Sequence, residues 1–210
     1  MLKSLHSFFL LIATFTTILN PKCISASTAD MVAENKWIQE NQNVISDKVG
    51  KFLETYSLNP ILEPGEISFQ SLGVENFGIK DGDLVQSTLI GDLVQGKKSY
   101  KSAFAILRNV KTKDVDVNLM YVSNTTVSTQ LFFDMLPLML EQLKAIGFIK
   151  ANSISEIRLI YIDNLEVQPG GVKLQKWTFY NQDGSKDFKV KLTPDKKGET
   201  DFVITDSPST

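Results

Sequence analysis

Between positions 66 and 204 turn signals cut the chain into short stretches, most of them alternating apolar with polar residues. One long stretch, 128–146, escapes the cutting. Phe188-Lys189-Val190-Lys191-Leu192 alternates without exception, and Val115, Val117, Leu119 and Tyr121 alternate with Asp114, Asp116 and Asn118. A period of two puts one set of side chains on a core and the other in water, as a half-solvated antiparallel strand requires. On this basis strands are expected at 66–72, 84–94, 99–110, 114–122, 156–163, 172–180, 187–192 and 200–204. Asp81-Gly82-Asp83, Gly96-Lys97, Asn124-Thr125-Thr126, Pro169-Gly170-Gly171, Asp183-Gly184 and the stretch 194–198 supply the turns and loops between them.

Two segments carry the helical period instead. In 30–57, Ile38, Ile45, Val49, Phe52, Leu53 and Tyr56 fall on one face, while Glu34, Glu40, Asp47, Lys48, Lys51 and Glu54 fall mostly elsewhere. Asn59-Pro60 and Pro64-Gly65 end that helix. In 128–146, Ser128 suits an N-cap and Gly147 the C′ position, with Phe148 closing back on the last turn. Leu131, Phe132, Met135, Leu136, Leu138, Met139, Leu143 and Ile146 cover more than half its circumference, which makes it the central core element of its half. Asp134, Glu141 and Lys144 rule out a membrane span, and Pro137 is expected to kink the helix.

The order helix, four strands, helix, four strands predicts an α+β protein of two helix-plus-antiparallel-sheet units, α-β4-α-β4, over 30–124 and 125–205, their sheets either separate or joined into one, with 206–210 as a disordered tail. The topology of each unit is similar to that of cystatin-like domains. That likeness lies in element order and carries no function.

Residues 1–29 have the layout of a secretion signal. Lys3 supplies the positive n-region, an apolar run starts at Phe8 and reaches Leu19, and small residues offer cleavage after Ala26 or Ala29. The expected location is therefore secreted or periplasmic, with no stable membrane insertion after cleavage. Asn20-Pro21-Lys22 before Cys23 does not resemble a lipoprotein signal.

His6 and Cys23, the only histidine and the only cysteine, lie in this leader. A chain that loses it has no imidazole and no thiol. Ser-His-Asp or Cys-His catalysis, zinc sites with His or Cys ligands, and disulfides are then excluded. The chain holds 22 Lys plus Arg against 24 Asp plus Glu, and removing Lys3 and Lys22 leaves 20 against 24, a net charge near −4. Mild acidity gives no electrostatic case for nucleic acid. Arg108 and Arg158 are the only arginines, so bidentate phosphate recognition has few candidates.

No catalytic, cofactor or metal motif emerges, and no cofactor is expected. Asp114-Val-Asp116-Val-Asn118 has the opening spacing of a calcium loop, but Leu119 stands where the sixth-position Gly is needed and Thr125 where the bidentate Glu belongs. Trp177 and Phe179 share one face of a strand and form either an exposed platform for sugar or peptide or part of the core. Asp114, Asp116, Asn118, Trp177 and Phe179 are the candidate binding-surface residues. The expectation is an exported, non-catalytic protein contacting a protein partner through a sheet face or edge. The alternatives are a carrier holding an apolar, lipid-like ligand between the second helix and the sheet, and a His-independent hydrolase using carboxylates or Ser-Lys.

Overall fold

The structure is a computed structural model that describes residues 28–55, 58, 61–62, 66–81, 83–150, 156–195 and 200–206. Most of the expected leader and nearly all of the expected tail lie outside these residues. Among the described residues the protein is α+β, with three α-helices and an eight-stranded, mostly antiparallel sheet whose strands pair in chain order. It divides into two compact units, 1–120 and 121–210.

In the first unit the expected single helix is two: α1 (Thr28–Glu40) and α2 (Gln42–Thr55). The break is local. Asn41 turns its side-chain amide back on the Trp37 carbonyl at 2.8 Å, a carbonyl its own backbone N–H also uses at 3.0 Å. Short amide side chains compete with helix bonding in this way. The strands are β1 (Ser68–Asp81), β2 (Leu84–Gln95), β3 (Lys98–Asn109) and β4 (Val115–Ser123), whose last residues belong to the second unit. β1 runs well beyond its expected end. Register shifts between Ser71 and Gly73 and between Glu75 and Ile79 absorb the residues that read as a strand end. β2 and β3 form a hairpin across Gly96-Lys97, with Gly96 at φ 59°.

Odd positions of β2 and even positions of β3 make one face. It carries Leu89, Leu93, Phe104 and Ile106, all buried, as are Ile38, Ile45, Val49 and Leu53 of the helices. Phe104 meets Phe52 of α2 and Phe69 of β1 edge to face, at 6.0 and 5.1 Å between centroids. Gly91 is required there, since a Cβ would fall 2.6 Å from the Gln70 carbonyl and 2.3 Å from the Phe69 ring.

In the second unit α3 (Thr129–Ala145) leads to β5 (Leu159–Val167), β6 (Lys173–Tyr180), β7 (Ser185–Pro194) and β8 (Thr200–Asp206). Ser128 caps α3 by accepting from the Leu131 N–H. Gly147, at φ 72°, ends it: its N–H reaches the Lys144 carbonyl at 3.0 Å and the Phe148 N–H reaches the Leu143 carbonyl at 2.9 Å. These paired bonds satisfy carbonyls that the helix leaves open. Pro137 lies inside an unbroken element.

Between β4 and β5 the pairing is parallel, Val122 with Tyr161 and Ser123 with Ile162, where the sequence predicts antiparallel sheets alone. The reason is α3: a helix between two neighbouring strands carries the chain back to its starting end. Asn124 extends this short ladder with its side chain. Its Oδ1 accepts from the Asn164 N–H at 2.9 Å and its Nδ2 donates to Asp163.

The core of this unit is α3 against β6 and β7. Phe132, Met135, Leu136, Met139 and Leu143 are buried on the helix, and Trp177, Phe179, Phe188, Val190 and Leu192 on the strands. Phe132 stacks on Trp177 at 5.7 Å and lies 4.9 Å from Tyr121. The buried stripe of α3 is narrower than the apolar count predicts. Leu138 is 44 % exposed and Ile146 48 %, and Leu138 lines an open groove beside β8.

Candidate functional site

Of the five expected binding-surface residues, two are core. Trp177 and Phe179 are fully buried, and the indole N–H donates to the Gln175 side-chain oxygen at 3.1 Å. Gln175 is itself buried and satisfies the one polar atom the Trp carries inward. The exposed platform gives way to the core alternative. The pleat was ambiguous in the sequence because Lys173 and Gln175 share that face; Lys173 sits exposed at the strand start.

Asp114 lies in the exposed turn before β4, where it accepts from the Thr112 hydroxyl at 2.6 Å. Asp116 and Asn118 follow at half-buried positions of β4, and the Asn118 amide nitrogen is buried without a partner. No group of three or more His, Cys, Asp or Glu converges among the described residues. Nor is any of their helices long and apolar enough to cross a membrane.

Sequence reasoning missed a buried charge cluster in the first unit. Arg108, on β3, forks onto both carboxylate oxygens of Glu34 from α1, and the Ser87 hydroxyl of β2 donates to the same carboxylate at 3.2 Å. The guanidinium also lies 4.5 Å from the Trp37 ring centroid. The Glu34 side chain is 3 % exposed and that of Arg108 14 %. Glu34 was expected on the wet face of its helix. The signal against that was its spacing: it stands four residues before Ile38, in line with the apolar stripe. Chemically the cluster is closed. The fork of Arg108 is taken by Glu34 and one of its faces by Trp37, so it offers little to an anion.

Each unit has a groove open to ligands among its described residues. In the first, a cleft of about 360 Å³ has a floor of Ile38, Ile45, Leu89 and Phe69. Its rim is amide and hydroxyl, from Asn35, Gln39, Gln42, Ser46 and Ser71. The second, of about 600 Å³ and wide open, lies between α3 and β8. It is lined by Leu138, Glu141, Gln142, Ala145, Phe202 and Ile204.

This second groove adjoins the outer edge of β8. β8 pairs with β7 on one side and closes the strand order, so no strand among the described residues covers its other side. Phe202 and Ile204 are half-buried on the groove side, while Val203, on the opposite face, is 59 % exposed. The sequence placed β8 correctly. That it would be an edge depends on the strand order, which no local pattern carries.

Tyr180, at the end of β6, titrates above its ordinary value, chiefly because burial disfavours the phenolate and then because Asp187 stands nearby. Comparison with protein families, with characterised proteins and with solved structures finds no match.

Proposed function

We propose that this is an exported, non-catalytic binding protein that engages another polypeptide through the outer edge of β8. One observation carries the reading: a strand edge that no described strand pairs, with an apolar groove beside it. An open edge presents a row of N–H and C=O groups that an added strand can complete, and pockets on alternate sides read its side chains. Natural proteins usually blunt such edges with charge, proline or a covering loop. Here the middle of the strand is Phe202-Val203-Ile204. We read the leader as removed on export, which places the protein in a periplasm or outside the cell. We also read the two units as one plan used twice, a helix followed by strands, cystatin-like in element order, with the parallel β4–β5 pair as a departure.

The groove's lining favours a second reading, a carrier of an apolar ligand held between α3 and β8 by Leu138, Ala145, Phe202 and Ile204.

A photoreactive amino acid at position 203, introduced in the native host, separates the two. The expected product is a discrete adduct with a polypeptide, absent when the same group replaces the exposed Glu54. A lipid adduct, with lipid retained by the purified protein in native mass spectrometry, would establish the carrier. No adduct at all would reject the edge as a binding site.

A further inference from the structure

We infer that the polypeptide taken by the β8 edge is a second copy of this chain, paired antiparallel about Val203. The inference rests on the edge reading above and names its partner.

The argument starts from symmetry. Directly opposed residues of an antiparallel pair point to the same face of the sheet. A strand pairing with its own copy about a two-fold axis through the sheet must therefore centre on one residue, and a shift of the centre changes every opposition. β8 reads Thr200-Asp201-Phe202-Val203-Ile204-Thr205-Asp206. Centred on Val203, the pairing uses the whole strand. Val203 meets itself, Phe202 meets Ile204, Asp201 meets Thr205, and Thr200 meets Asp206. Apolar positions face apolar ones, and no aspartate faces an aspartate. Centred on Ile204, Phe202 would face Asp206. Centred on Phe202, Asp201 would face Val203 and Thr200 would face Ile204. Both of these shorten the overlap and set apolar against polar. The strand is self-complementary in one register only.

The neighbouring strand extends the match. Leu192 and Val190 of β7 are buried opposite Phe202 and Ile204. In the pairing centred on Val203 they continue into one apolar row across the junction: Leu192, Phe202, the copy's Ile204 and the copy's Val190. That row lies on the groove side, so Leu138 of α3, 44 % exposed alone, gains apolar neighbours. On the other face Lys189 stands opposite Thr205 in the β7–β8 register, and Lys189 itself is exposed. The junction places the copy's Asp201 next in that row. Apolar pattern, strand length and the separation of the aspartates thus agree on one occupant.

Sedimentation of the exported chain tests this. The expected result is a mass that doubles with rising concentration. Val203→Lys and Val203→Glu, at an exposed position, should each keep the circular dichroism of the folded parent and return the protein to monomer. Mixing these two variants should restore the doubled mass, because only the register centred on this residue sets Lys directly opposite Glu. A parent chain that stays monomeric, a Val203→Lys variant that dimerises like the parent, or a mixture that stays monomeric would each overturn the inference. A monomeric parent that still gives a cross-link from position 203 to a different polypeptide rejects self-pairing and keeps the edge reading. A monomeric parent with no cross-link rejects both.

Discussion

In the first unit the core between helix and sheet holds a carboxylate from α1 against a guanidinium and a hydroxyl from the strands; in the second it holds stacked rings and aliphatic side chains around α3. The two solutions respond differently to damage. An apolar core gains stability roughly in proportion to area removed from water, so its losses are graded. In a buried ion pair mutual attraction offsets the desolvation cost of both charges, so removing one partner is expensive while removing both can be neutral. Packing quality governs the second unit. Pairing governs the ridge where α1 crosses β2 and β3 in the first.

Three substitutions break or sharpen that contrast, and the two tryptophans, Trp37 and Trp177, give each unit its own fluorescence probe. The largest effect is expected from Phe132→Ala. This ring is fully buried and touches both Tyr121 and Trp177. The loss should be roughly 3–5 kcal/mol, read from the denaturant midpoint of Trp177 emission in a Trp37→Phe background. A shift below about 1 kcal/mol, the scale of a tolerated hydrophobic swap, would show that this core collapses around the gap.

Next is Arg108→Ala, at about 3 kcal/mol, the low end for breaking a buried pair, since the Arg108 side chain keeps 14 % exposure. The companion Glu34→Leu with Arg108→Met should recover to within about 1 kcal/mol of the parent, as replacement of whole buried pairs does. If the double variant is as unstable as the single one, the cluster does more than neutralise itself and the contrast between the units fails.

The smallest change is expected from Ser128→Ala, about 1 kcal/mol, the usual value of an N-cap. The bond it removes is long, 3.4 Å to the Leu131 N–H. A larger loss, seen as helix fraying in hydrogen exchange of the first turn of α3, would mean that the cap positions the core rather than decorating it.

Alkaline pH gives a check within the second unit. Tyr180 binds its proton more tightly folded than unfolded, because its folded pKa is raised above 10.0. Its contribution is complete below that value and fades as pH rises through the raised one. Tyr180→Phe should flatten that part of the pH–stability curve.

Much of the architecture was legible in the residues, for reasons that are local. Gly96, Asp183-Gly184 and Pro169-Gly170-Gly171 mark turns because few other residues take those backbone angles. Ser128 and Gly147 mark the ends of α3 because capping is settled within one turn. Alternation in 187–192 identifies β7 because the pleat has a period of two. Three things were not legible. Asn41 interrupts the first helix through a side-chain bond that the apolar period does not register. Glu34 is buried because Arg108, far along the chain, comes to meet it. Trp177 faces inward because α3 brings Phe132 over it.

The sequence by itself determined which stretches would be helix or strand, where most of them would turn, and that a chain without its leader would lack imidazole and thiol. Those properties depend on neighbours a few residues apart. Tertiary structure alone decided that β4 and β5 run parallel, that a carboxylate and a guanidinium share an interior, and that β8 is left at an edge. Each of these depends on which distant segments meet. Pairing order is chosen by the combined burial and hydrogen bonding of the assembled sheet, to which no single strand's pattern is specific.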